Sequence, residues 1–270
     1  MRFSDFDAIL FDMDGTLYRE HHALPGVAEV LARLRGAGCR MACITNNSAN
    51  TAPELSARLA KMGVEVAPEM IFTACHAMAD TIIERWRTPR VFNFAGSALP
   101  YELGQRATLV ERLNEPCDVV AVGTHFRENA VAFDFEQSLI GLNHLRKGAQ
   151  LVVGCADRVF PIQGGDVEFG SGSWGMLFTY AANLPPSRVT YAGKPEPGFF
   201  LSLCRRMGFD PKRCLIVGDN LESDIAGGQS VGMTTALILT GITSEEEARA
   251  HHVRPDMVVS SMDDLWAKLR

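Results

Sequence analysis

Short apolar runs, each ending in a polar or acidic residue, recur along this chain with amphipathic stretches between them. Ala8 to Phe11 ends at Asp12, Met41 to Ile44 ends at Thr45, and Cys214 to Val217 ends at Gly218-Asp219. Thr235 to Leu239 and Met257 to Val259 repeat the pattern near the C-terminus. A strand with one wet face alternates apolar and polar residues, whereas a solid apolar run needs cover on both faces. Solid runs separated by helices predict an α/β protein with a Rossmann-like parallel-sheet core. Val27, Val30, Leu31 and Leu34 mark one helix face. Thr51, Pro53 and Glu54 open a second helix, with Leu55, Leu59 and Met62 on its apolar side. Pro197 opens a third, with Phe200, Leu203 and Met207. A further helix is expected from about Ser223, and a last one over Asp263 to Leu269.

The middle of the chain holds a second alternating set. Val91 to Phe94, Val119 to Val122 and Leu151 to Val153 read as strands, and Ile82 to Trp86 and Phe135 to Leu145 as helical. Two glycine-rich stretches follow, Gly164-Gly165 and Gly170 to Gly175. The second, with Trp174 and Met176, reads as a glycine-rich turn or a mobile, substrate-facing segment. These features predict a large inserted α/β domain at 87–187, within a core made of 1–86 and 188–270.

Composition narrows the class. Of 270 residues, 47% are hydrophobic and 21% charged, the balance of a chain that can bury a core. The 26 basic and 32 acidic residues give a net charge of −6, with no basic run of the kind a nucleic-acid groove needs, so no nucleic-acid partner is expected. An acidic total still permits a locally positive site for an anionic small molecule. No apolar run approaches a membrane span, and Met1 to Phe11 lacks the pattern of a leader, so no membrane association is expected. The seven cysteines form no C-x-x-C pair and sit partly within strand-like runs. They are expected as reduced core thiols of a cytoplasmic protein. A homo-oligomer stays open.

The ends of the apolar runs carry the chemistry. Asp12-Met13-Asp14-Gly15-Thr16 places two carboxylates one residue apart at a strand end, where open parallel sheets bind ligands. One could attack or bind metal while the other handles a proton; an ordinary Asp/Gly turn is the alternative. Thr45-Asn46-Asn47-Ser48 offers a hydroxyl and backbone N–H groups to a phosphate oxygen, or is a plain polar loop. Lys194 offers a point charge to an anion, or is a solvated lysine. Asp219 could share a hard cation such as Mg²⁺ with Asp12, or cap a helix. Asp224 could serve as a first-turn acid of that helix.

Taken together and in this order, Asp12-x-Asp14-Gly-Thr, Thr45-Asn46, Lys194-Pro and Gly218-Asp219-x₄-Asp224 resemble the four motifs of the haloacid dehalogenase superfamily. The acid at position 14 resembles its phosphatase branch. No cap fits between Asp12 and Thr45, while about 150 residues separate Thr45 from Lys194. With Asp157-Arg158 and the Gly193-Lys194-Pro195 context, this spacing is similar to class IIA members. The resemblance implies a Mg²⁺-dependent phosphomonoester hydrolase acting on a small phosphorylated metabolite. Asp12 would be the nucleophile and Asp14 the proton donor. Thr45, Asn46, Asn47 and Lys194 would hold the phosphoryl group. Asp12, Asp14 (through its carbonyl) and Asp219 would hold the metal, with Asn220 and Asp224 orienting them. A phosphotransferase or mutase using the same aspartyl-phosphate, and a non-enzymatic phosphometabolite binder, are the alternatives. Departures from the family pattern fall at Thr124, His125, Gly154 and Cys155, all within the insertion, and at Ser223. Specificity is therefore expected within 87–187, with Asp157, Arg158 and Trp174 weighed as substrate-facing or structural.

Overall fold

The computed structural model describes residues 1–124, 135–162 and 166–270. His125 and Gly164-Gly165 lie outside them. The chain divides into two compact units. The first comprises Met1–Thr45, Ala52–Phe72 and Lys194–Arg270, and the second Asn46–Thr51 and Thr73–Gly193.

The first unit opens with β1 (Ala8–Asp12), the short hairpin β2 (Tyr18–Arg19) and β3 (His22–Ala23), and α1 (Val27–Gly36). β4 (Met41–Thr45), α2 (Ala52–Lys61) and β5 (Ile71–Thr73) follow. The second unit carries α3 (Ala74–Arg85), β6 (Arg90–Phe94), α4 (Ala98–Leu103), β7 (Thr108–Val110), β8 (Val119–Val122) and α5 (Phe135–Arg146). It continues through β9 (Gln150–Val153), β10 (Val159–Pro161), β11 (Val167–Phe169), α6 (Ser171–Ala182) and β12 (Val189–Tyr191). The chain then returns to the first unit as α7 (Pro197–Met207), β13 (Cys214–Gly218), α8 (Gly227–Ser230), β14 (Thr234–Ile238), α9 (Glu245–Ala250), β15 (Met257–Val259) and α10 (Met262–Leu269).

The core sheet runs β15-β14-β13-β1-β4-β5. Its pairings from β15 through to β4 are parallel. Every residue of β1, β4 and β13 is buried, as solid apolar runs require. Val27, Val30, Leu31 and Leu34 of α1 pack with Met262, Leu265 and Leu269 of α10 against Ile9 and Phe11. Among the described residues, no helix is long and apolar enough to cross a membrane.

The second unit has its own parallel sheet, β12-β9-β8-β6-β7, and its own core around Phe92, Phe94, Val120, Leu151 and Phe178. The sequence draws the insertion at 87–187, whereas this unit also takes in α3, β12 and the 46–51 loop. β12 belongs there because it pairs with β9, Val189 opposite Leu151. α3 belongs there because His76 reaches Glu102 of α4 at 3.3 Å.

Two local expectations change. The helix expected from Ser223 is a π-helical turn, Leu221–Ala226, followed by the single turn α8. Asn220 starts it early: its Oδ1 accepts from Glu222 N (2.9 Å) and Ser223 N (3.1 Å). The stretch Gly170 to Gly175 is not a turn but the start of α6. Its glycines serve close packing: a Cβ on Gly172 would overlap the Ala156 carbonyl, and one on Gly175 would stand 2.7 Å from Val153 Cγ2. Trp174, partly buried, stands edge-on between the buried Phe94 (5.8 Å) and the exposed Phe169 (5.7 Å). The strands β5, β7 and β12 escape sequence reading because each is three residues long and includes a threonine, unlike the all-apolar Met257–Val259 of equal length.

This packing gives a contrast that calorimetric unfolding reads. Gly172→Ala forces a methyl into backbone and lowers stability by about 1–3 kcal/mol. Gly198→Ala, in α7 with nothing within 4 Å of the added Cβ, leaves stability unchanged or raises it by up to about 1 kcal/mol. Equal melting temperatures for the Gly172→Ala and wild-type proteins would remove the packing role given to α6.

Candidate active site

β1 lies between β13 and β4, which the chain reaches by crossing in opposite directions, so it marks the switch point of the sheet. Asp12 pairs in register with Ile44, and Phe11 with Val217. The strand ends therefore bring Asp12, Thr45 and Gly218-Asp219 out at one edge. Asp12, Thr45, Lys194, Asp219 and Asp224 are all buried.

Lys194 joins the acids. Its Nζ donates to Asp12 Oδ1 at 2.5 Å and to Asp224 Oδ1 at 2.6 Å. The second oxygen of Asp224 accepts from Asn220 N at 3.1 Å, so both of its oxygens are engaged. Asp219 Oδ2 accepts from Ile242 N at 2.7 Å. Space for Asp219 depends on glycine: Gly15 has φ +80°, and a Cβ there or on Gly241 would run into the Asp219 carboxylate.

Asp14 is set apart from this cluster. The Tyr18 hydroxyl donates to Asp14 Oδ2 at 2.9 Å, and Gly15 N donates back to Tyr18 O at 2.8 Å, closing the loop on itself. The Arg58 guanidinium stands 5.0 Å over the Tyr18 ring and donates to Glu20 O at 2.8 Å. Tyr18, Arg58, Gly241 and Ile242 are contributors that sequence reading passed over. Tyr18 carried a faint signal, four residues after Asp14, but a loop has no fixed side-chain spacing to make that number meaningful.

Asn46 and Asn47 fall in the second unit. Asn46 Nδ2 donates to Asp157 Oδ2 at 3.0 Å. Asn47 Oδ1 accepts from Ala49 N (3.0 Å) and Asn50 N (2.9 Å), and its Nδ2 donates to Asn50 Oδ1, an Asx turn that shapes the loop. Ser48 Oγ accepts from Thr124 N at 2.8 Å, and a Cβ on Gly154 would stand 2.9 Å from it. The departures at Thr124 and Gly154 thus surround Ser48.

The electrostatics follow from burial. Asp12, Asp219 and Asp224 each offer an oxygen within 4.8 Å of the others, against a single lysine. Burial drives the Asp12 carboxyl well up, Lys194 opposes that, and Asp224 and Asp219 add to it. Asp219 is pushed up to about 6, by burial first and then by Asp224. Burial pulls the Lys194 ammonium down, but Asp12 and Asp224 outweigh it and hold the amine charged. Asp14, unlike the clustered acids, is exposed to solvent, yet the protein packed around it raises its carboxyl, with the Tyr18 hydroxyl pulling the other way. Three acids and one lysine leave an excess of negative charge among oxygen donors alone, the donor set of a hard dication. Asp12 and Asp219 are suited to hold it, and Asp224, with both oxygens engaged, to orient its neighbours.

Known proteins bear directly on this arrangement. A haloacid dehalogenase-like hydrolase model matches residues 9–105, and a second HAD-hydrolase-like model matches 191–265. Chronophin of Bos taurus is 33% identical over 97% of this chain and 92% of its own. The p-nitrophenyl phosphatase from Archaeoglobus fulgidus superposes with a TM-score of 0.87 at 26% identity, covering 98% of this chain and 100% of that one. A glycerol phosphate phosphatase from Mycobacterium tuberculosis, solved in complex with magnesium, gives 0.88 at 26%, covering 98% and 79%. The chain belongs to the haloacid dehalogenase-like hydrolases, and within them to the class IIA phosphatases with an inserted cap domain.

The raised Asp219 carboxyl has a pH signature. Its folded value of about 6 lies above the ordinary 3.8, so the folded state binds that proton more tightly than the unfolded chain. The stability this gives is fully present below about pH 4 and is lost as pH rises through about 6. In EDTA, the unfolding midpoint should fall between pH 5 and 7.5, and Asp219→Asn should flatten that fall. A wild-type midpoint level across this window would contradict the cluster's electrostatics.

Proposed function

We propose that this chain hydrolyses phosphomonoesters of small metabolites through an aspartyl-phosphate on Asp12. The observation that carries the reading is the buried Lys194 between Asp12 and Asp224 at a parallel-sheet switch point, with Asp219 beside them. A carboxylate oxygen of Asp12 attacks phosphorus as the ester P–O bond breaks. Asp14 delivers its proton to the departing alkoxide. The protein packed around the exposed Asp14 raises its carboxyl, which favours a proton available for that step. Asp14, now ionised, then takes a proton from the water that attacks phosphorus and breaks the bond to Asp12, releasing phosphate. Splitting the displacement in two lets one geometry serve both halves.

Thr45 and the backbone amide that follows it receive the phosphoryl oxygens, and Lys194 offsets their charge. Asp12, the Asp14 carbonyl and Asp219 would hold Mg²⁺, whose charge when bound stabilises the oxygens around the transferring phosphorus. Tyr18 fixes one oxygen of Asp14, which assigns proton transfer to the other.

Steady-state rates on p-nitrophenyl phosphate and on an alkyl phosphate, with Mg²⁺ and with EDTA, test this reading. Asp12→Asn abolishes turnover of both, and chelation does the same reversibly. Asp14→Asn costs roughly 10²–10⁴-fold on the alkyl ester. It costs far less on p-nitrophenyl phosphate, whose leaving group needs no proton. Tyr18→Phe follows the same leaving-group order with smaller losses. Wild-type turnover by Asp12→Asn would overturn the covalent mechanism.

A further inference from the structure

A second group of metal-ligating side chains lies outside the carboxylate cluster. Among the described residues only two groups of three such ligands converge, and the other is Glu222, His251 and His252. Glu222 is the second residue of the π-helical turn, and the two histidines directly follow α9. One ligand atom of each lies within 4.8 Å of the others. His251 Nε2 stands 3.1 Å from Glu222 Oε1, and the two imidazole rings lie 4.4 Å apart. Two atoms bound to one metal at about 2.0–2.2 Å are separated by about 3.0–3.5 Å, so the His251–Glu222 distance already suits a shared ion. Glu222 and His252 are exposed and His251 is half-buried, so an ion can enter from solvent.

We propose that Glu222, His251 and His252 form a second cation site, selective for a transition-metal dication such as Zn²⁺. Two imidazoles and one carboxylate, with positions left for water, form the donor set that Zn²⁺, Co²⁺ and Cu²⁺ favour and that Mg²⁺ does not. The two sites therefore differ in chemistry: oxygen only at Asp12 and Asp219, mostly nitrogen here. One adjustment is needed. Val253 N donates to His251 Nδ1 at 3.1 Å, so a neutral ring keeps its proton on Nε2. Metal capture at Nε2 moves that proton to Nδ1 and releases the Val253 contact, with no net proton loss. The lost hydrogen bond lowers affinity roughly fivefold. Occupancy would tie the π-helical turn, which carries Asp224 two residues further on, to the end of α9.

The test uses the whole chain without an affinity tag, in millimolar Mg²⁺. Cu²⁺ serves as a spectroscopic probe, and Zn²⁺ is titrated calorimetrically. Expected are nitrogen hyperfine splitting in the Cu²⁺ paramagnetic resonance spectrum and one Zn²⁺ bound per chain. His251→Ala with His252→Ala lowers Zn²⁺ affinity by at least about 100-fold and removes the nitrogen splitting. Glu222→Gln lowers affinity about tenfold. The variant His21→Ala with His22→Ala, which removes the chain's other adjacent histidine pair, changes neither. Should the double variant at 251 and 252 lose its circular dichroism, the exposed His252→Ala alone decides. Absence of nitrogen splitting in wild type, or unchanged affinity in His252→Ala, overturns the proposal.

Discussion

The contact on which the site rests is one ammonium group between two carboxylates. Lys194 reaches Asp12 from one side and Asp224 from the other, all three out of water. Such a triad is a poor device for stability, because desolvating each charge costs several kcal/mol that the pairing barely offsets. Removing the lysine would be worse, since it would leave like charges crowded in a dry place. The acids are therefore tolerable only as a set, and the set requires strand ends from β1 and β13 to meet at one edge. The sheet order and the glycines around Asp219 follow from that requirement.

Two carboxylates separated by a single residue meet different surroundings. Asp12 faces Lys194 and two more acids, while Asp14 faces a tyrosine hydroxyl that belongs to its own loop. The difference comes from where the chain turns. Met13 is buried in the core with Ile9 and Phe11, and Gly15 bends the backbone at a positive φ. The strand direction thus aims Asp12 at the cluster, and the turn carries Asp14 into the loop closed by Tyr18. Unlike environments for paired acids are what the proposed division of labour between them requires.

Much of this was legible from the sequence, and the boundary of legibility is physical. The buried strands β1, β4 and β13 are legible because their runs are solidly apolar, too short for a buried helix and bounded by polar residues. Asp12, Thr45 and Asp219 are marked by the runs they terminate, and Lys194 only by the motif set it completes. What the sequence conceals is which partner a residue meets once the chain folds. Nothing in Gly172 or Gly175 says that a helix must lie close against Val153 and Ala156. A glycine permits flexibility and close packing alike, and only the partner decides which. Nor does Asn47 reveal that its amide closes its own loop. Tyr18 and Ile242 stayed hidden for the same reason: one acts through a hydroxyl in an irregular loop, the other through a backbone N–H.

The partners of the central ion pair are 182 positions apart in the chain, and that separation sets an order of assembly. At roughly 5–20 residues per second, a ribosome delivers Lys194 about ten to forty seconds after Asp12. Over that interval β1 has β4 on one side and no β13 on the other, and its acids have no lysine to meet. The second unit is nearly contiguous, from Thr73 to Gly193, and its strands and helices are all present before Lys194 emerges. Local closure is faster than distant closure, so the inserted unit has all its partners before the first unit does. The segment that interrupts the first unit in sequence is thus complete before that unit can be, and the buried charge cluster is among the later contacts that synthesis permits.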